Sequence, residues 1–262
     1  MARDFKRTLI ISDTHCGHET GLTPPKYDPE YPEGTTDIPR DIRRTTWNWF
    51  TEKVEKYQPI DILLANADLI DGRGEKSGSN ELITTNRYRQ AKMAIDIIKF
   101  IGAPKIVMSR GTPYHTGKEE DFEEIIADEV EAFEFRNAGQ FEVNGLVFDY
   151  KHHISRSSIP HGRFTAAARE RLWNVLKEKE GSAHGAHVFV RSHVHYHTHL
   201  GEHGWLAMTT PALQWSSDYG EQTKGDIVHF GFIIFDIYEL GDYTWKSEIL
   251  DPVVLVPELV SL

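Results

Sequence analysis

One cysteine, Cys16, stands among 262 residues, so no disulfide can form within the chain and a small disulfide-stapled fold is excluded. Long apolar runs are missing as well. No stretch approaches the roughly eighteen residues of a membrane-spanning helix, and the run that follows Met1 to Arg7 is far shorter than a signal-peptide core. The expectation is a soluble, cytoplasmic protein of a reducing compartment with no membrane partner. Basic charge is also scarce, with 29 Lys and Arg against 40 Asp and Glu and a net charge of −11. Broad attraction to nucleic acid needs a basic surface and is disfavoured. A phosphate-bearing substrate is not excluded, because dications bound in a cleft reverse its local field whatever the net charge.

What the chain does have is bulk and alternation. Six Trp, thirteen Phe and ten Tyr can fill a sizeable core, and the length suits one domain, residues 1–262. Periodicity predicts strands at Thr8 to Ser12, Ile60 to Ala65, Lys105 to Met108 and Val188 to Arg191. Helices are predicted at Asp41 to Tyr57, Asn86 to Ile101, Glu119 to Phe133 and Phe164 to Lys179. Phe141 to Tyr150 reads as a strand or a hairpin turning at Asn144-Gly145. The last third reads as strands only, at Trp205 to Thr209, Ile227 to Tyr238 and Tyr243 to Leu250. An α/β fold follows, with a mixed sheet packed on a second sheet and helices outside. Two long loops, Gly17 to Arg40 and Gly72 to Asn86, are read as overhanging the carboxyl ends of strands, where they would select a substrate or serve as plain surface insertions.

Five clusters rich in Asp or His recur at the ends of apolar runs: Asp13-Thr14-His15, Asp68-Leu69-Ile70-Asp71-Gly72, Gly111-Thr112-Pro113-Tyr114-His115, His152-His153 and His193-Val194-His195. Carboxylates and imidazoles gathered from strand ends suit divalent cations of borderline character, and the chain reads as a metalloenzyme. Two imidazoles at i and i+2, as in His193 and His195, point to one side of an extended chain. If Leu146 to His153 continues as a strand, His152 shares the apolar face of Leu146, Phe148 and Tyr150, whereas His153 shares that of Asp149 and Lys151.

In this order the clusters resemble the calcineurin-like metallophosphoesterase superfamily, from Asp13 to His195. The resemblance implies an αββα sandwich of two mixed sheets flanked by helices, and a centre of two divalent metal ions, manganese first, with iron, zinc or nickel as alternatives. It implies that Asp13, His15 and His195 hold the first ion, that Asp68 bridges both, and that His152 and His193 hold the second, with His153 as the alternative to His152. Two departures stand out. Ala67 occupies a position that is usually Gly, which matters only if the backbone there needs positive φ. The third cluster has no Asn and two extra residues, so Thr112 is the alternative metal ligand, and His115 faces the phosphate as catalytic acid or replaces a ligand. Arg110 is read as a phosphate clamp beside His115.

Plainer roles stand beside these. Asp71 before Gly72 suits a turn, His197, His199 and His203 suit a rim, and Cys16 suits either a metal-proximal thiol or a small buried side chain. The implied activity is hydrolysis of phosphate esters by a water activated between two cations. A diester is favoured, and nucleotides or nucleic acid are among the candidate substrates. The alternatives are a phosphomonoesterase of the same fold and a scaffold that kept the fold without catalysis.

Overall fold

The structure, a computed structural model, describes residues 3–32, 37–75, 78–117, 120–157, 159–216 and 228–251. Strand β1 (Lys6–Ile11), helix α1 (Ile38–Tyr57), β2 (Ile62–Ala65), α2 (Arg87–Ile101) and β3 (Lys105–Ser109) open the chain as a β-α alternation. A one-turn helix α3 (Pro113–Thr116), α4 (Phe122–Glu129) and β4 (Glu134–Arg136) follow. Next come β5 (Ala138–Val143), β6 (Leu146–Lys151), α5 (Pro160–Lys179) and β7 (Val188–Arg191). The final strands are β8 (Thr198–Glu202), β9 (Trp205–Thr209), β10 (Gly231–Ile237) and β11 (Tyr243–Ile249).

Two mixed sheets result, one of six strands in the order β11-β10-β1-β2-β3-β4 and one of five in the order β5-β6-β7-β9-β8. Strands β1 to β4 run parallel, as do β6, β7 and β9, so the carboxyl ends of the ligand-bearing strands within each sheet face one way.

Period-2 alternation on both faces sorts the apolar residues into three layers. In β1, Leu9 and Ile11 join the layer under α1, α2 and α4, while Ile10 joins the layer between the sheets. In β10, Phe232 and Ile234 divide from Ile233, Phe235 and Ile237 in the same way. The second sheet repeats the rule, with Val188 and Val190 facing the first sheet and Phe189 facing α5. Helices outside and two sheets inside give the αββα stack expected from the sequence. No helix among the described residues is long and apolar enough to cross a membrane.

Departures from the expected elements have local causes. Helix α1 starts three residues early because Asp37 caps it, accepting from the Arg40 amide at 3.0 Å, and Pro39 fits its first turn. Helix α4 is shorter than Glu119 to Phe133; Asp121 caps it, and Glu119 lies outside the described residues. Residue Ile227, the expected start of β10, is also outside them. The hairpin does turn at Asn144 and Gly145, both with positive φ (50° and 91°). Strands β4 and β8 were not expected: one has three residues, and the other is a polar edge.

The two long segments are folded against the body. Residues 17–24 are almost wholly buried, and the Leu22 amide donates to the Leu213 carbonyl at 2.9 Å. Arg43, buried in α1, donates to Asp28, the Glu19 carbonyl and Tyr31 at 2.6, 2.8 and 3.0 Å, which pins the Pro-rich part. The segments meet where the Glu19 amide donates to the Glu81 carbonyl and Ile83 to Gly17.

Candidate metal centre

Past their last paired residues, β1 and β2 stay side by side: the Asp13 amide donates to Ala67 O at 2.9 Å and the His15 amide to Asp68 O at 3.1 Å. Here the backbone leaves extended geometry. Asp13, His15, Ala67, Asp68, His193 and His195 all have positive φ, from 42° to 74°. Left-handed geometry costs a residue with a Cβ roughly 1–2 kcal/mol, and strain gathered on one spot marks a place held for function. Ala67, at φ 69°, therefore occupies a turn where its methyl group matters.

Three groups of candidate ligand atoms gather here. Asp13, His15 and His195 form the first, Asp68, His152 and His193 the second, and His15, Asp71 and His115 a third that shares His15 with the first. In the first, Nε2 of His195 lies 3.2 Å from Asp13 Oδ1 and 3.2 Å from Nε2 of His15, which in turn is 3.9 Å from Asp13 Oδ1. Donors on one cation at about 2.0–2.2 Å stand roughly 3.0–3.6 Å apart; the two 3.2 Å spacings fall in that range, and the 3.9 Å spacing would have to close slightly around a shared ion. In the second, Nε2 of His152 lies 2.9 Å from Asp68 Oδ2 and 3.9 Å from Asp13 Oδ1. Asp13 Oδ1 and His152 Nε2 are buried and make no well-aligned hydrogen bond, although charge pairs His152 with Asp68 and His195 with Asp13. A cation bound there would satisfy Asp13 Oδ1 and displace the Nε2 proton with which His152 faces Asp68 Oδ2, and the residues present fit divalent metal.

The tautomers suit the same task. His15 donates from Nδ1 to Asp71 Oδ1 at 3.0 Å, and His152 donates from Nδ1 to the Asn66 carbonyl at 2.8 Å, leaving both Nε2 atoms to face the groups. Asp71 is thus more than a turn former.

Burial, with His115 beside it, lowers His15 to about 4, and burial with His152 nearby lowers His193 to about 4, so both stay neutral and able to ligate. His152 behaves oppositely: burial works to lower it, but Asp68 and Asp13 raise it to about 10. Burial works to raise Asp71, and its hydrogen bond with His15 brings it down to about 2. Asp13 and Asp68 are likewise opposed by burial, yet the surrounding imidazoles hold both below the usual carboxylate range.

Other expected residues fall as follows. Asp68 sits with the second group, and its Oδ1 accepts from the Thr112 amide at 2.8 Å and from the Thr112 hydroxyl at 3.2 Å. Oδ1 of Asp13 is the atom within 4 Å of ligand nitrogens of both groups. His115 stands beside His15, ring centroids 4.6 Å apart, with its Nδ1 on the Asp71 carbonyl at 2.8 Å. His153 is exposed, its ring 4.9 Å from that of His193. Arg110 is directed elsewhere: its guanidinium pairs with Asp121 and Glu124 and lies over Phe135, because α4 brings those acids to it. His197 is not a rim residue; it donates to the Thr209 carbonyl at 2.7 Å, and burial lowers it to about 4. Cys16 is fully buried, which raises its thiol to about 12 and suits packing rather than redox chemistry.

Glu123 was not singled out by sequence. Fully buried, it accepts from the Leu69 amide at 2.9 Å and the Gly111 amide at 2.6 Å, tying together the turns that carry Asp68 and Thr112. Burial and the charge of Asp68 raise it to about 8. In sequence it is one acid within Glu119-Glu120-Asp121-Phe122-Glu123-Glu124, with no signal to separate it from a solvated run.

No protein-family model and no curated protein sequence matches the chain. Among solved structures, it is similar to a Vps29 complexed with zinc from Entamoeba histolytica, at 12% identity and a TM-score of 0.47, covering 93% of this chain and 98% of that one. A phosphodiesterase described as archaeal matches at 14% identity and a TM-score of 0.45, covering 92% and 99%. A predicted phosphoesterase from Streptococcus pneumoniae matches at 11% identity and a TM-score of 0.39, covering 94% and 100%.

Proposed function

We propose that the protein is a metal-dependent phosphoesterase, with a diester as its preferred substrate and two divalent ions, manganese foremost, at the paired groups. The observation that carries this reading is the convergence of two mixed Asp and His groups around two buried atoms, Asp13 Oδ1 and His152 Nε2. In the first group Asp13, His15 and His195 would hold one ion, and in the second Asp68, His152 and His193 the other. When bound, such a pair supplies Lewis acidity and an activated water for in-line displacement at phosphorus.

The chain's own contribution is orientation and a proton. Asp71 and the Asn66 carbonyl fix His15 and His152 in the tautomers that ligation needs. Thr112, occupying the place of the superfamily's Asn, holds Asp68 through its amide and hydroxyl. With Nδ1–H of His115 committed to the Asp71 carbonyl, its Nε2 is the nitrogen that can give a proton to a leaving oxygen. A diester asks for one such acid, whereas a monoester terminus carries more charge and calls for additional cationic groups. The engagement of Arg110 by Asp121 favours the lighter demand. Nucleotides and single-stranded nucleic acid belong in the first substrate screen.

Protein reconstituted with Mn, Fe, Zn or Ni should hydrolyse nitrophenyl diesters faster than monoesters and well above a metal-only control. Uptake of less than one equivalent of metal, or no turnover of either ester class, would sink the enzymatic reading and leave a scaffold.

A further inference from the structure

Directly beneath the ligand turns runs a chain of small polar side chains that crosses from one sheet to the other. Ser109 Oγ donates to Asn66 Oδ1 at 2.8 Å, and Asn66 Nδ2 donates to Ser192 Oγ at 2.6 Å and to the Lys151 carbonyl at 3.2 Å. Thr210 Oγ1 donates to Ser192 Oγ at 2.8 Å and shares a 2.6 Å bond with Ser12 Oγ, which also reaches the Pro211 carbonyl at 3.3 Å. Ser12, Asn66, Ser109, Ser192 and Thr210 are all 0% exposed. Polar atoms so deep between sheets are costly unless satisfied, and here they satisfy one another.

Their places in the sequence are regular. Ser12 precedes Asp13, Asn66 stands two residues before Asp68, Ser109 three before Thr112, and Ser192 precedes His193; Lys151, whose carbonyl joins the chain, precedes His152. Asn66 is the hub, because its backbone carbonyl also takes the Nδ1 proton of His152. One residue therefore orients a ligand of the second group and ties the end of β2 to the ends of β6 and β7.

We propose that Asn66 is a positioning residue for the second metal group, held in place by the belt Ser109-Asn66-Ser192-Thr210-Ser12. This rests on the dinuclear reading above. The belt's donors converge on Ser192 Oγ, so losing either Asn66 or Ser192 frees the same joint. Ligands of the first group depend less on it, since His15 is held by Asp71.

The test is calorimetric titration of the metal-free protein with Mn²⁺, checked by bound-metal analysis, for wild type, Asn66→Ala, Ser192→Ala and the double variant. Wild type should take up two equivalents. Each single variant keeps the Asn66 carbonyl that holds His152 but loses side-chain bonds that fix that carbonyl in place, so the second ion should weaken by about 10-fold, the lower end of the range for outer hydrogen-bond partners, and the first by less than about threefold. The double variant should lose little more than either single one, since both break one network. Ser192→Ala removes a single oxygen and keeps the question open to measurement if Asn66→Ala does not fold. Equal weakening of both ions, or unchanged metal affinity beside a lowered melting temperature, would overturn the positioning role alone. Wild type that binds fewer than two equivalents would overturn the dinuclear reading and this inference with it.

Discussion

From the ends of β1, β2 and β3 the six-stranded sheet brings Asp13, His15, Asp68 and Thr112 to the site, whereas the five-stranded sheet brings His152, His193 and His195 from β6 and β7. The carboxylates come from one sheet and most imidazoles from the other. Neither sheet completes the first or the second group alone: the first group takes His195 from the second sheet, and the second group takes Asp68 from the first. The chemistry is therefore a property of the interface between sheets, and a cation bound there would cross-link them.

The most damaging way to break this division is to remove charge from the carboxylate side. Asp68→Asn should abolish measurable turnover and lower occupancy at the second site; metal analysis that finds two ions still bound would put Asp68 outside the centre. Next comes the proton. If His115 serves the leaving oxygen, His115→Ala should slow diesters with poor leaving groups by about 10²–10⁴-fold and spare nitrophenyl esters. Equal losses on both with two metals bound would assign it to orienting the phosphate, and a drop in metal content would make it a ligand.

The imidazole side is sharpened by a neighbouring pair. His152→Ala should release the second ion, while His153→Ala, which removes an exposed side chain, should leave metal content nearly intact. The reverse pattern would exchange the two.

Stability at the second sheet offers a smaller effect. Arg191, buried at the end of β7, donates to Glu170 of α5 at 2.7 and 2.9 Å and to Asp149 at 2.6 Å. Burial works to raise the Glu170 carboxyl, but Arg191 outweighs it and holds it below its ordinary 4.5. A depressed carboxylate contributes stability above the unfolded value and loses it as pH falls through the folded one. Glu170→Gln should thus cost roughly 1.5–3 kcal/mol near neutrality, the range for a hydrogen bond to a charged group, and the gap to wild type should narrow as pH falls below the ordinary 4.5 and close once it passes the depressed folded value. A gap that persists in acid would mean the loss is packing, not charge.

The smallest change concerns Ala67. Glycine would relieve a left-handed cost of roughly 1–2 kcal/mol, but would lose about 0.8 kcal/mol of methyl burial and add roughly 0.5–1 kcal/mol of unfolded-chain entropy. The melting temperature of Ala67→Gly should stay within about 2 °C of wild type. A fall of several degrees would show that the methyl is a needed packing element.

Much of this was legible beforehand because it is local. Strands β7 and β9 have their expected bounds, and His152 follows the face of Phe148 and Tyr150, since alternation is a property of neighbours along one chain. Arg110 misled because its partners, Asp121 and Glu124, are brought by a helix packed after β3, and an isolated Arg carries no mark of that. Asn66, Ser12, Ser109 and Ser192 did leave a trace, each a small polar residue closing an apolar run just before a cluster. Read singly, each is an ordinary strand end.

By itself, then, the sequence determined which donors exist and which element ends carry them, because residue type and period are fixed by the chain. Only the tertiary structure decided how closely those donors approach. His15 and His195, 180 residues apart, stand 3.2 Å from each other, and no local preference encodes that distance. It is set by stacking two sheets through an apolar layer.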